Sequence, residues 1–524
     1  MNNITVQNSL FKALKRYGPH PAITFLETGE TLTYSELNAK IDAVAGYLLK
    51  LGIGPGSSAV VLLPNSIEYV LFSLGVVRCG GILTGLNEMS GVREVSFVLN
   101  HLEPKVIIVG SQSQAETVYE YLKNSDKKLT ALGIEGFGAI FPEEFKLFKW
   151  EDTGGTSEFP LALPGDIARI SYTGGTTGTP KGVMHSQYTL ATNLMSHCIE
   201  MQLDDQDKVL LTTPLQHAAG PILWRALTSG IHSYITKTFD PESFFSVVNE
   251  KGITTTLVVP TMLYRLLDYG KKTNSRAGSM RTMIYGAAPI SLERLKEAFE
   301  MFGPVLRQGY GVTECPNLIS ALTKTDHVWA YHNNPKALRS CGSPCNMVEV
   351  KLVDDDGNQV PPGGRGEIAV RAPYTMVGYY KKPDLTGETL RDGWLHTGDV
   401  GEFDELGFLY IVERKKDMII SGGMNVYSIE VENVVNQHPA VAMSACFGIP
   451  HADWGEAVCV YAVLRSGSTC SEAEIIDFCK QRISKYMVPK TVKFIEALPL
   501  TGIGKIDKKE LRKPFWTGRG SQIV

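Results

Sequence analysis

The segment ISYTGGTTGTPKGV, residues 170–183, gathers the residue types that hold a run of phosphates. An apolar strand end leads into Thr173, Gly174, Gly175, Thr176, Thr177, Gly178 and Thr179, and then into Pro180, Lys181 and Gly182. Glycines let the backbone wrap an anion and aim its N–H groups at it, the threonine hydroxyls add donors, and Lys181 supplies a point charge. Together they make a cradle suited to a triphosphate. The spacing G-x-x-x-x-G-K-[ST] is not met, because Lys181 follows Pro180 and precedes Gly182. A helical pattern begins at Tyr188, so the expected arrangement is strand, anion-holding loop, helix. A plain Gly/Thr surface loop is the competing reading, and the preceding strand disfavours it.

Three further segments carry chemistry. In QGYGVTE, 308–314, Tyr310 stands between Gly309 and Gly311 and can stack on a purine, Thr313 can bond a phosphate, and Glu314 is a hard oxygen ligand suited to Mg²⁺ shared with phosphates. Just upstream, YGAAP ends a strand in Gly286, Ala287 and Ala288, which is either a tight turn or a floor for a flat base. In DGWLHTGD, 392–399, Asp399 closes a Gly-bounded turn, either as an Asx turn or as a ligand for both ribose hydroxyls. Arg414 follows in the charged run ERKKD, 413–417, as a reinforcement of ribose or phosphate binding or as part of a solvated linker. Finally, LPLTGIGKID, 498–507, puts Lys505 between turn-forming glycines and a helix start, from where its ammonium can reach a distant phosphate.

The elements that must position these residues follow from periodicity. Helical spacing over 34–51 and 67–77 alternates with apolar strands at 59–63, 106–109, 209–212, 233–236, 255–259 and 282–285, the rhythm of an α/β sheet. A polar passage at 152–164 separates the first block from the phosphate motif. Residues 345–412 change to short alternating strands with Asp/Gly turns, which reads as a small β-rich subdomain. After the charged run the pattern becomes strand, helix, strand, helix. The expected division is therefore 1–415 and 416–524, a large α/β part and a small α+β part.

Composition narrows the partners. The 524 residues carry a net charge of −4, so no global positive field recruits nucleic acid, and anions must be held locally. No apolar stretch approaches the 18 residues of a membrane span. Nine scattered cysteines without a C-x-x-C pair read as reduced thiols of a cytoplasmic protein. Residues 480–524 hold 11 Lys/Arg against 3 Asp/Glu, a basic end on an acidic protein.

The four segments, in this order and over essentially the whole chain, resemble the adenylate-forming superfamily of acyl-CoA synthetases, peptide-synthetase adenylation domains and luciferases. PLQHAAG, 214–220, and IISGGMN, 419–425, extend the likeness. The resemblance implies a large N-terminal domain and a small mobile C-terminal one, pivoting at Lys416. It implies ATP phosphates on residues 173–178 and Lys181, and Mg²⁺ on Glu314. It places adenine and ribose at 286–288, Tyr310, Thr313, Asp399 and Arg414. Lys505 and His217 become the catalytic pair, Gly422 and Gly423 the lining of a CoA tunnel, and Leu194, His217, Ala218, Gly311 and Leu318 the acyl pocket. The implied reaction makes an acyl-AMP from a fatty or aryl carboxylic acid and ATP, then transfers the acyl group to CoA. The alternatives are a stand-alone ligase that loads an acyl carrier protein and a non-catalytic nucleotide-binding protein. A homodimer is a further expectation, and Lys508 and Lys509 are candidate docking points for CoA phosphates. The chain departs from the family in Gly174 for a frequent Ser, Glu413 for Gly and Met424 for Glu.

Overall fold

Strand Ser58–Leu62 shows how the sequence pattern becomes architecture. Ala59 and Val61 pack on one side with helices Tyr34–Lys50 and Ile67–Arg78, while Val60 and Leu62 pack on the other with Val95, Val98 and Leu99 of helix Val92–Leu102. A strand buried on both faces is apolar throughout rather than alternating, which is why this sheet is parallel and covered by helices on both sides. Helix Tyr34–Lys50 begins at a reciprocal cap in which the Thr33 hydroxyl accepts from the Glu36 N–H and the Glu36 carboxylate accepts from the Thr33 N–H.

The computed structural model describes residues 4–153, 158–173, 180–288, 290–465, 467–501 and 505–516. Among the described residues the strands form four sheets. One has eight strands: a parallel body containing Ser58–Leu62, Ile82–Gly85, Val106–Val109 and Ile167–Thr173, with Lys181–Ser186 and Gly378–Tyr379 added antiparallel at one edge. A second has nine, in which Lys208–Leu211, Thr255–Val258, Thr282–Gly286 and Leu306–Val312 run parallel and Cys315–Leu322 turns back beside the last of them. The two large sheets share an apolar cluster that joins Ala59 and Val61 to Val209, Leu211 and Ile235. A five-stranded antiparallel sheet, including Glu349–Val353, Gly366–Arg371, Trp394–Phe403 and Leu409–Arg414, is the expected β-rich subdomain. The fold is α/β with a large N-terminal domain and a small C-terminal one.

Two local expectations change. The chain after the phosphate motif is not loop then helix: Lys181–Ser186 is a strand paired with Ile167–Thr173, and only then does helix Gln187–Met201 begin, capped by Ser186. The short alternation in KGVMHS has too few periods to stand out beside a longer helical pattern. Asp399 likewise lies inside the continuous strand Trp394–Phe403, directly after Gly398 at φ +74°, while the turn of the motif is at Asp392 and Gly393, at φ +50° and +77°.

The C-terminal sheet is built from Ile419–Ser421, Met424–Val426, Val441–His451, Gly455–Leu464 and Thr491–Phe494, with helices Ser428–Val435, Glu472–Lys480 and Lys508–Trp516 on it. Gly422 and Gly423, at φ +60° and +77°, form the two-residue turn between paired Ser421 and Met424, a hairpin that needs positive φ at both positions. Lys508 is not a free docking point. Its Nζ lies 2.7 Å from Glu432 Oε1 and donates to Ser428 Oγ at 2.7 Å. Burial alone lowers the Lys508 pKa, but the carboxylates of Glu432 and Glu413 outweigh it and hold the ammonium charged. Glu413 itself, the buried first residue of the charged run, accepts from the backbone N–H groups of Ser428 and Ile429. Lys508→Met should therefore cost about 3–5 kcal/mol of stability, read as a lowered urea midpoint, because it removes the cation paired with the buried carboxylate of Glu432. A surface lysine would show almost no change. Among the described residues no helix is long and apolar enough to cross a membrane.

Candidate active site

Antiparallel pairing of Trp394–Phe403 with Leu409–Arg414 sets Asp399 opposite Arg414. Asp399 is buried, with Oδ1 3.1 Å from Arg414 Nε and Oδ2 accepting from Tyr310 Oη at 2.7 Å. Its own N–H donates to Thr397 Oγ1 at 3.1 Å, which fixes the carboxylate's backbone. The half-exposed Arg414 is held above the ordinary guanidinium range chiefly by Asp399. Tyr310 is 7% exposed and anchored by this bond, and burial followed by the Asp399 charge raises its phenol.

Beside Tyr310 the glycines are fixed by space. Gly286 pairs with Gly309 across adjacent parallel strands, and a Cβ there would stand 2.3 Å from the Gly309 carbonyl oxygen. A Cβ on Gly311 would stand 2.5 Å from Asn317 N. Ala287, exposed at φ +69°, turns the chain out of the sheet ahead of half-buried Ala288. The sequence left a tight turn and a flat floor as alternatives, and the backbone has features of both.

A second group joins two sheets. Glu314, half-buried after strand Leu306–Val312, accepts from Tyr379 Oη at 2.7 Å, and Tyr379 comes from the edge strand paired with Lys181–Ser186. Lys181 Nζ stands 5.3 Å from the centre of the Tyr379 ring, and Thr173 faces Lys181 across the hairpin. The Thr313 carbonyl accepts from His185 Nε2 at 2.9 Å. Gly174, Gly175, Thr176, Thr177 and Gly178 lie outside the described residues, as do Thr179, Gly502 and Gly504. Among the described residues no cluster of three or more His, Cys, Asp or Glu forms a metal cage. A lone carboxylate beside a lysine and an anion-holding motif fits Mg²⁺, which binds through one or two carboxylates and completes its shell with phosphate oxygens and water.

The third group surrounds Lys505. Its loop is closed by Thr501 N–H donating to Lys505 O at 2.7 Å and Lys505 N–H donating to Thr501 Oγ1 at 3.2 Å. Burial pushes the Lys505 ammonium down to about 8, helped by the cations of Arg414 and Lys416 and opposed by Asp399. His217 is held at about 4 by burial and by the charges of Arg169 and Lys505, so it is neutral at pH 7. Its Nε2 is buried without a hydrogen-bond partner among the described residues. Lys505, Asp399, Arg414 and His217 thus converge from four separate segments. Lys416 sits in the short turn Lys415–Asp417, beside Lys415, which pairs with Asp355 at 2.9 Å and Glu367 at 3.1 Å. Leu194 and Leu318 are buried in packed clusters, while Ala218 is half-buried next to His217.

Sequence reasoning missed Tyr379, Thr397, Arg169 and Gln216. Thr397 lay inside a quoted motif, and Gly378–Tyr379 offered only a glycine before an aromatic. Arg169 carried one readable signal, the lone charge in the strand ahead of the phosphate motif.

Comparison with known proteins agrees with this geometry. The family model described as AMP-binding enzyme matches residues 10–380, and that described as AMP-binding enzyme C-terminal domain matches 430–505. The chain is 36% identical to the medium/long-chain-fatty-acid–CoA ligase FadD8 of Mycobacterium tuberculosis, over 98% of this chain and 90% of that protein. It is 33% identical to a feruloyl-CoA synthase of an Amycolatopsis species, over 95% and 97%. Among solved structures, the amide bond synthetase McbA from Marinactinospora thermotolerans matches at TM-score 0.87 and 28% identity, covering 98% of this chain and 100% of that one. The o-succinylbenzoate CoA synthetase MenE of Bacillus subtilis, in complex with its acyl-adenylate intermediate, matches at 0.82 and 28%, covering 96% and 97%. Family models spanning both parts of the chain, relatives above 30% identity over nearly its full length, and the clustering of its nucleotide-site motifs agree: the chain belongs to the AMP-binding enzyme family, within the adenylate-forming superfamily that includes the acyl-CoA ligases.

Proposed function

We propose that this protein is an ATP-dependent acid–thiol ligase that converts a fatty or aryl carboxylic acid to its acyl-AMP, releasing pyrophosphate, and then transfers the acyl group to CoA, releasing AMP. The observation that carries this reading is the approach of Lys505, from the C-terminal part, to Asp399, Arg414 and His217. A lysine so placed neutralises charge that builds where a carboxylate meets an α-phosphate.

In this reading residues 173–178 and Lys181 hold the β and γ phosphates, and Glu314, oriented by Tyr379, holds Mg²⁺, which neutralises phosphate charge when bound. Residues 286–288 and Tyr310 flank the adenine. Thr313, Asp399 and Arg414 hold ribose and phosphate oxygens. Neutral His217 orients the acid, and Leu194, Ala218, Gly311 and Leu318 contribute to its pocket. One carboxylate oxygen attacks the α-phosphorus and the bond to the pyrophosphate oxygen breaks, while Lys505 stabilises the charge on the in-flight oxygens. In the second step the CoA sulfur attacks the acyl carbon, its proton leaves to solvent, and the acyl–phosphate bond breaks to free AMP. Lys505 occupies the thiol's approach, so the 416–524 part turns about Lys416 between the steps and brings the Gly422–Gly423 turn to the pantetheine path. The nine free thiols support a reducing, cytoplasmic location.

Pyrophosphate release across a panel of fatty and aryl acids, with CoA, with a pantetheinylated carrier protein or with neither, tests this reading. Acid-dependent release, thioester formation with CoA and loss of both on adding EDTA are expected. Thioester formed only on the carrier protein would shift the acceptor, and release unaffected by EDTA would remove Glu314 from its role.

A further inference from the structure

Among the described residues Arg169 is a cation without a counter-charge, placed where the two large sheets meet. It lies on strand Ile167–Thr173, opposite His185 and beside Leu83, and is mostly buried. Its Nη2 donates to the Gln216 carbonyl at 2.5 Å, one residue before His217. Among the described residues no carboxylate pairs with it; burial opposes its charge, and the Gln216 carbonyl and the Tyr69 hydroxyl are the polar groups that favour it. A guanidinium removed from water in this way is costly unless an anion or strong acceptor joins it.

The surroundings are arranged for such an acceptor. The Gln216 side chain and the Tyr69 hydroxyl close in on Gly85, where a Cβ would stand 2.7 Å from Gln216 Cβ and 3.1 Å from Tyr69 Oη. Gln216 Oε1, His217 Nε2 and His185 Nδ1 are all buried without hydrogen-bond partners among the described residues. Three polar groups with unused capacity therefore gather about Arg169. The triphosphate does not account for them, because Thr173, where the phosphate motif begins, is four residues along the strand, about 13 Å away. The ligase reading assigns the reacting carboxylate to His217 and Lys505, which leaves Arg169, held one residue before His217, for a further acceptor group of the acid.

We infer that Arg169 is a specificity-determining residue that receives a second anionic group of the acid substrate, so that the preferred acid carries a second carboxylate or an equivalent acceptor. This rests on the acid–thiol ligase reading and deepens it. A purely aliphatic chain would leave the guanidinium desolvated and unpaired, and the site would select against it.

Adenylation kinetics without CoA, following pyrophosphate for the pairs hexanoate and adipate, and octanoate and suberate, test the inference. The wild type is expected to favour the dicarboxylate of each pair by tenfold or more in kcat/KM, because a site built around a polar partner rejects the analogue lacking it. Arg169→Leu should reverse that order, losing the dicarboxylate and gaining the monocarboxylate, while Arg169→Lys retains part of the preference. The gain guards against mistaking misfolding for specificity. Monocarboxylates preferred by the wild type and unchanged in Arg169→Leu would overturn the inference and leave the ligase reading intact. In the complete reaction with CoA added, an Arg169→Leu protein altered only in its CoA KM would also overturn it, assigning the arginine to the thiol substrate. No pyrophosphate with any acid would overturn the ligase reading itself.

Discussion

Replacing Lys505 with alanine is expected to slow acyl-AMP formation about 10²- to 10³-fold, while thioester formation from preformed acyl-AMP stays within a few-fold of the wild type. The first figure is what loss of one preorganised charge at a developing oxyanion costs. The second follows because Lys505 has no part in thiol attack. The same lysine sets a pH dependence. With its ammonium at about 8 in the free protein, acid adenylation measured as kcat/KM should fall above that pH as the charge is lost. The sign for stability is opposite. Native Lys505 deprotonates at about 8 and an unfolded lysine near 10.5, so between those values the unfolded chain binds more protons and this group adds stability as pH rises. The alanine variant should lose both the fall in rate and that rise in stability. If both half-reactions slowed equally, Lys505 would be a structural residue.

Asp399→Ala should raise the KM for ATP about 10- to 100-fold with little change in the KM for the acid. Its carboxylate links Tyr310 on one sheet to Arg414 on another, and hydrogen bonds to a charged group contribute roughly 1.5–3 kcal/mol. Asp399→Asn keeps an acceptor and should fall between. Tyr310→Phe removes one hydroxyl and leaves the ring, so its effect should be smaller than either. An Asp399→Ala protein with unchanged ATP KM and a lowered melting temperature would reduce the cluster to a structural crosslink.

These residues differ in how far the sequence revealed them. The parallel strands were legible because burial on both faces writes an unbroken apolar run, as at Val106–Val109. Glu314, Asp399 and Lys505 stood out in the sequence because glycines beside polar groups mark places where a backbone can meet a ligand, whereas residues 174–179 lie outside the described residues. What joins these three to their partners was not legible. Glu314 meets Tyr379 across 65 positions and Tyr310 meets Asp399 across 89, and pairing at that range leaves no local periodicity. Lys508 read as a docking point for CoA phosphates because nothing near it in sequence announces the carboxylates of Glu413 and Glu432. Arg169 was visible as a charge in a strand, but its lack of a partner became evident only once Gln216, Tyr69 and His217 surrounded it.

The nucleotide product tests the central claim most directly. Wild-type protein incubated with ATP, a carboxylic acid and CoA should yield AMP, pyrophosphate and acyl-CoA in equal amounts, and acyl-AMP should accumulate when CoA is withheld. ADP with inorganic phosphate, or acyl-CoA appearing without a detectable acyl-AMP in the Lys505→Ala and wild-type reactions alike, would contradict it.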